Sequence, residues 1–185
     1  MLYSLNRFIN LRDTMKVILA TLLLVGVVFF TFNGCKSDDS PTNPATPSTK
    51  TMIMGHFGVD FSEGKVGDPE TALPNEKIDG ETIAWCPNGS GGGWMTGIWF
   101  RSREDKLYRI GPGDLATITA IDTTKWSADV CATALKPGDI WAAKALDGYV
   151  VFKVTAVATD SAGIANGVNW PATVEYKFST TTKFN

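Results

Sequence analysis

Met52, Met54 and His56 stand two residues apart in "MIMGH". On a β-strand that spacing puts all three side chains on one face. Two thioethers and an imidazole are soft ligands that suit Cu(I). The same spacing also serves apolar packing on a buried strand, beside a satisfied histidine. The carboxylates Asp60, Glu63, Asp68 and Glu70 gather in "DFSEGKVGDPE". Acid–base work would need two of them converging on a cleft. A loop of hard oxygen donors would suit a weak calcium ion, and a solvated turn between strands uses the same residues. The sequence holds one histidine and shows no HExxH pair, nucleophile elbow or Cys/His dyad. It therefore assigns no catalytic residue and no cofactor.

Six tryptophans offer a second kind of chemistry, stacking on a sugar or a flat ligand. By strand parity Trp94 shares a face with Ile98 and Phe100, whereas Trp99 points the other way. Trp99 and Trp141 are the candidates for an exposed aromatic platform. "CPNGSGGGW" lacks the Gly-Lys-Ser/Thr ending of a phosphate loop. It reads as a glycine-rich connection beside aromatics, a setting that often carries binding.

The three cysteines divide by context. Cys86 and Cys131 form an even pair, and in an exported domain such a pair most often makes a disulfide. It would close a loop of more than forty residues, worth about 4 kcal/mol in the chain-entropy model. Cys35 follows Arg7, Arg12 and Lys16, the apolar run "VILATLLLVGVVFFTF" and Asn33-Gly34. Basic start, apolar core and small-residue cleavage site are the order of a secretory signal. The apolar run is at or just below the lower limit for a membrane-spanning helix, roughly 17 residues; a retained membrane anchor is the alternative to a cleaved signal. Met15-Lys16 would make a normal start for such a signal, so residues 1–14 are expected to be an upstream extension from a misplaced start codon.

Gly34-Cys35 resembles the lipobox of bacterial lipoproteins, although Phe32 and Asn33 depart from its usual residues. That resemblance implies diacylglycerol on the Cys35 thiol, cleavage before it and acylation of the new N-terminus. Several acyl chains, at about 0.8 kcal/mol per buried methylene, anchor stably where one would not. "KSDDS" after the cysteine resembles the surface-export signal of lipoproteins from Bacteroidota-type outer membranes. The implied location is the outer membrane, lipid-anchored, at the cell surface or on the periplasmic face; the same residues also serve as an ordinary solvated linker start.

Organisation follows. Residues 1–34 read as the signal, 35–50 as the lipidated cysteine with a Pro/Ser/Thr-rich tether, and 51–185 as one domain. The tether cannot bury a core; at ~3.1 Å per residue it would hold the domain roughly 40 Å from the membrane. The whole chain has 17 basic and 19 acidic residues. Without Arg7, Arg12, Lys16 and Asp13 the balance is mildly acidic, and no basic stripe argues for nucleic acid.

The domain reads as all-β, a single antiparallel sandwich or open barrel of about eight strands. Strands are expected over 52–61, 81–86, 94–101, 106–110, 115–121 and 172–178, with a hairpin over 139–158 turning at Asp147-Gly148. In the first of these, Ile53, Phe57, Val59 and Phe61 share a face. A short helix is expected only within 123–135. "GPGDLATITAID" and "KPGDIWAAKALD" align without gaps, each with a Pro-Gly turn that marks a strand entry.

"HFGVDFSEGKV", "LKPGDIWAAKALDGYVVFKVTAV" and "ATVEYKF" resemble a group of Bacteroidota lipoproteins that includes the all-β HmuY-like haem-scavenging proteins. The resemblance covers Asp60 to Lys65 and Pro137 to Lys153. It implies haem binding, which those proteins achieve with two histidines. His56 alone excludes that ligation within one chain, so haem would need a His/Met pair or another mode. The expectation is a lipid-anchored, non-catalytic binding domain with an unknown ligand or partner protein outside the inner membrane. The alternatives are an aromatic carbohydrate platform and an envelope assembly component without a small ligand.

Overall fold

The computed structural model describes residues 48–86, 95–127 and 131–184, all within the compact unit Pro44–Asn185. Five strands form one sheet: β1 (Lys50–Met54), β6 (Leu107–Pro112), β7 (Asp139–Lys144), β8 (Tyr149–Val157) and β9 (Ala172–Ser179). Their order is β1-β9-β8-β7-β6. The other sheet holds β2 (Val59–Asp60), β3 (Lys65–Val66), β4 (Gly80–Ile83) and β5 (Trp99–Ser102), in the order β3-β2-β4-β5. Every pairing is antiparallel. The fold is an all-β sandwich, not closed into a barrel.

The main core lies between the sheets. Phe61 stacks parallel to Phe152 and meets Phe100 and Tyr176 at an angle. Val150, Val154 and Val174 fill in around these rings. Each buried side chain of this kind is worth about 2–3 kcal/mol. A second core covers the outer face of the larger sheet. There Leu115, Ile121 and Phe184 pack on Ile140, Ala142 and Val151. This explains why β7 is buried on both faces. Lys177, buried beneath this cover, donates from Nζ to the carbonyls of Ala116 and Ile118.

Several expected elements are corrected. Residues 52–61 are two strands in different sheets, broken at 55–58. The parity of the first is reversed: Met52 and Met54 face the core and Ile53 is 59% exposed. Residues 115–121 form no strand. Asp114 caps a 3₁₀ turn at Leu115–Thr117 instead, and the segment becomes part of the outer cover. Within 123–135 the described helix is a 3₁₀ turn, Thr123–Lys125. Among the described residues the α-helix is α1 (Ser161–Ala165), capped by Asp160. The two aligned Pro-Gly-Asp segments therefore diverge: one leads into a 3₁₀ turn, and the other enters β7. The β7–β8 hairpin forms as expected. Its glycine is needed for space, since a Cβ on Gly148 would stand 2.4 Å from the Ser179 carbonyl oxygen.

Candidate functional site

His56 lies just past the end of β1, where the chain crosses between sheets. Its backbone N–H donates to the Asn169 carbonyl at 3.1 Å and to Asn169 Oδ1 at 2.6 Å. Asn169 is so close that a Cβ on Gly55 would stand 2.6 Å from its amide. The next residue, Trp170, takes φ +44° although it precedes Pro171. A bulky side chain in that region costs about 1–3 kcal/mol. Edge-on contact with the His56 ring at 4.7 Å and packing against the main core offset it.

The His56 imidazole faces β4. Its Nδ1 is 3.1 Å from the Thr82 carbonyl oxygen and 3.1 Å from Glu81 Oε2. Two acceptors at Nδ1 call for a proton on that nitrogen. Glu81 stands opposite Arg101 of β5, with Oε1 4.0 Å from its guanidinium. Arg101 also reaches Asp105 at 3.4 Å.

Beyond this row opens a cleft of about 350 Å³ between the Asn75–Lys77 3₁₀ turn and the outer ends of β4 and β5. Ile78 supplies its apolar wall, and Asn75, Glu81, Arg101 and Arg103 supply its polar groups. Arg103 is exposed but held, donating from Nη1 to the Asn75 carbonyl at 2.7 Å. Its nearest acid in sequence, Glu104, is engaged by Lys106 at 2.7 Å, which lowers the Glu104 pKa.

A smaller acidic cleft, about 210 Å³, lies across the same strip of chain, lined by Asp60, Glu63, Glu76 and Asp79 among others. Hydrogen bonds and charge from Lys65 and Lys77 hold the Glu63 carboxyl at about 2. Asp79 separates the two clefts. It is buried, and burial pushes its pKa up against the lowering effect of two backbone N–H donors, Leu146 and Phe61. Among the described residues no cluster of three or more His, Cys, Asp or Glu could hold a metal ion. The calcium reading of 60–70 thus has no ligand set there.

The other expected site residues fall elsewhere. Trp99 is 1% exposed and Trp141 is 5% exposed, so they form no platform. The parity of Trp99 against Ile98 and Phe100 is as expected, but the face opposite the core is also covered. Cys131 and Ala134 lie over Trp99 and Ile83 there. Trp141 faces the main core. Both indole nitrogens are buried without a hydrogen-bond partner. Met52 and Met54 share a face, but that face is the inter-sheet core, while His56 is beyond the strand and one-third exposed. The expected soft-metal face is corrected to two core methionines beside a separately held histidine. Cys86 and Cys131 are disulfide-bonded, with Cα atoms 5.7 Å apart. Cys35, Trp94 and most of the glycine-rich connection lie outside the described residues. The Arg101/Arg103 cleft was missed from sequence. Its only local signal is the i, i+2 spacing in "FRSRED".

No protein-family model, curated protein or solved structure matched the chain. Among the described residues, no helix is long and apolar enough to cross a membrane.

Haem titration gives a direct check on His56. Titrating the apo-protein should give no sharp Soret band of six-coordinate iron, since Met52 and Met54 are committed to packing. A stoichiometric band that His56→Ala abolishes would overturn this and make His56 an axial ligand. Any Cu(I) binding should be weak and lost in the same variant.

Proposed function

We propose that the chain is a lipid-anchored lipoprotein of the outer cell envelope whose β domain binds a ligand and does no catalysis. The Cys86–Cys131 bond carries the argument, because such bonds persist in oxidising, extracytoplasmic compartments and are rare in the cytosol. The order of basic start, apolar run, Gly34-Cys35 and Pro/Ser/Thr-rich tether supports lipidation at Cys35. The lysine and acids after Cys35 favour the cell surface. The polar cleft of Glu81, Arg101 and Arg103 is the binding site in this reading; Trp99 and Trp141 are buried and lend the aromatic-platform alternative no support.

Lipidation is tested by intact mass and fractionation. Wild-type protein should carry acyl groups on a chain that begins at Cys35 and should sediment with membranes. Cys35→Ala should leave the membrane fraction or retain its uncleaved signal. An unmodified Cys35 thiol on the mature wild-type chain would overturn the proposal.

A further inference from the structure

Arg103 is a guanidinium fixed in place before any ligand arrives. One nitrogen is bonded to the Asn75 carbonyl, which orients the planar group without neutralising it. Among the described residues, no carboxylate lies within ion-pair distance of it. Arg101, two residues earlier on the same strand, lines the same cleft, and its own ion pairs are long, 3.4 and 4.0 Å. A preorganised guanidinium is suited to grip a planar carboxylate through two parallel hydrogen bonds.

Glu81 narrows the choice of anion. Its carboxylate shares the cleft, with His56 on its other side. A doubly charged phosphate would be repelled there, whereas a hydroxyl group would find an acceptor. Asn75 offers further hydrogen bonding, and Ile78 offers an apolar surface for the face of a ring. The cleft volume is at the small end of the ~300–1,000 Å³ range of ligand pockets. We infer that this cleft binds a sugar acid of the uronate class, its carboxylate on Arg103 and its hydroxyls on Glu81 and Asn75. This rests on the cleft being the binding site of the proposed function and specifies its ligand.

The test is isothermal titration of the lipidated protein in detergent with digalacturonate, galactose and inorganic phosphate. Digalacturonate should bind at one site and galactose should not. Arg103→Gln should weaken binding about ten-fold or more, the loss expected for a charge-assisted contact. Arg103→Lys should fall between, keeping charge but losing the fork. Thermal melts of the variants should match wild type, because the Arg103 side chain is exposed. Binding of galactose equal to digalacturonate and indifferent to Arg103 would overturn anion recognition. Tighter, Arg103-dependent binding of phosphate would overturn the sugar-acid assignment and leave the cleft as a binding site. Heat from none of the probes would overturn this ligand class, and an unchanged lipid mass on Cys35 would leave the envelope reading standing.

Discussion

Replacing both disulfide cysteines, Cys86→Ala with Cys131→Ala, should lower the unfolding free energy by about 4 kcal/mol. The bond closes a loop with a sequence separation of 45. Opening it returns chain entropy to the unfolded state, and the folded state loses a latch as well. Cys131 lies over Trp99 and Ile83 on the outer face of the smaller sheet. Without the bond, the Leu135 N–H to Ile98 carbonyl bond, 2.8 Å, remains to hold the segment there. Urea unfolding of unreduced wild type against the double variant measures the change. The midpoint should fall sharply, and the dependence on urea should steepen as the unlinked chain exposes more surface. Emission from Trp99 should shift to the red if the cover loosens before global unfolding. A loss under ~1 kcal/mol would show that packing alone fixes this segment.

This covering segment also marks where sequence reasoning stopped. Alternation gave the right side for Trp99 relative to Ile98 and Phe100, because parity is a local property of a strand. It could not reveal that a segment more than thirty residues later covers the other side. The strands β7, β8 and β9 were legible because each runs at least six residues, rich in apolar side chains and bounded by turn residues. Residues 52–61 were not, because "MIMGHFGVDF" alternates smoothly across a change of sheet. The cleft was illegible for the same reason as the cover. Arg101 and Arg103 read as ordinary polar residues at a strand end, and the carbonyl that orients Arg103 belongs to Asn75, 28 residues earlier.

Asp79 should be the most sensitive polar residue among those described, although nothing in "KIDGE" marks it in the sequence. Its carboxylate accepts from the Phe61 N–H and the Leu146 N–H, each at 2.7 Å. Leu146 belongs to the β7–β8 hairpin of one sheet, and Phe61 follows β2 of the other. Asp79 also donates its own N–H to the Val59 carbonyl and accepts from the Arg103 N–H, both at 2.7 Å. One side chain therefore ties the two sheets, and its backbone holds the strand end that carries Arg103. Asp79→Ala leaves the buried Phe61 N–H and the part-buried Leu146 N–H without this acceptor and should cost about 2–4 kcal/mol. Asp79→Asn keeps one acceptor but turns an amide donor towards the other N–H, so its cost should be smaller. The pH dependence has a defined sign. Burial raises the folded pKa above its ordinary 3.8. The folded state therefore binds the proton more tightly, and its stability falls as pH rises from about that value through the raised one. Above that window the contribution is constant. The stability of wild type minus that of Asp79→Asn, measured by urea unfolding from pH 3 to 7, isolates this group from the surface carboxylates. The difference should decline across the window and then level. A difference that rises with pH would mean that the two N–H donors outweigh burial, and that the ionised carboxylate is the form the fold prefers.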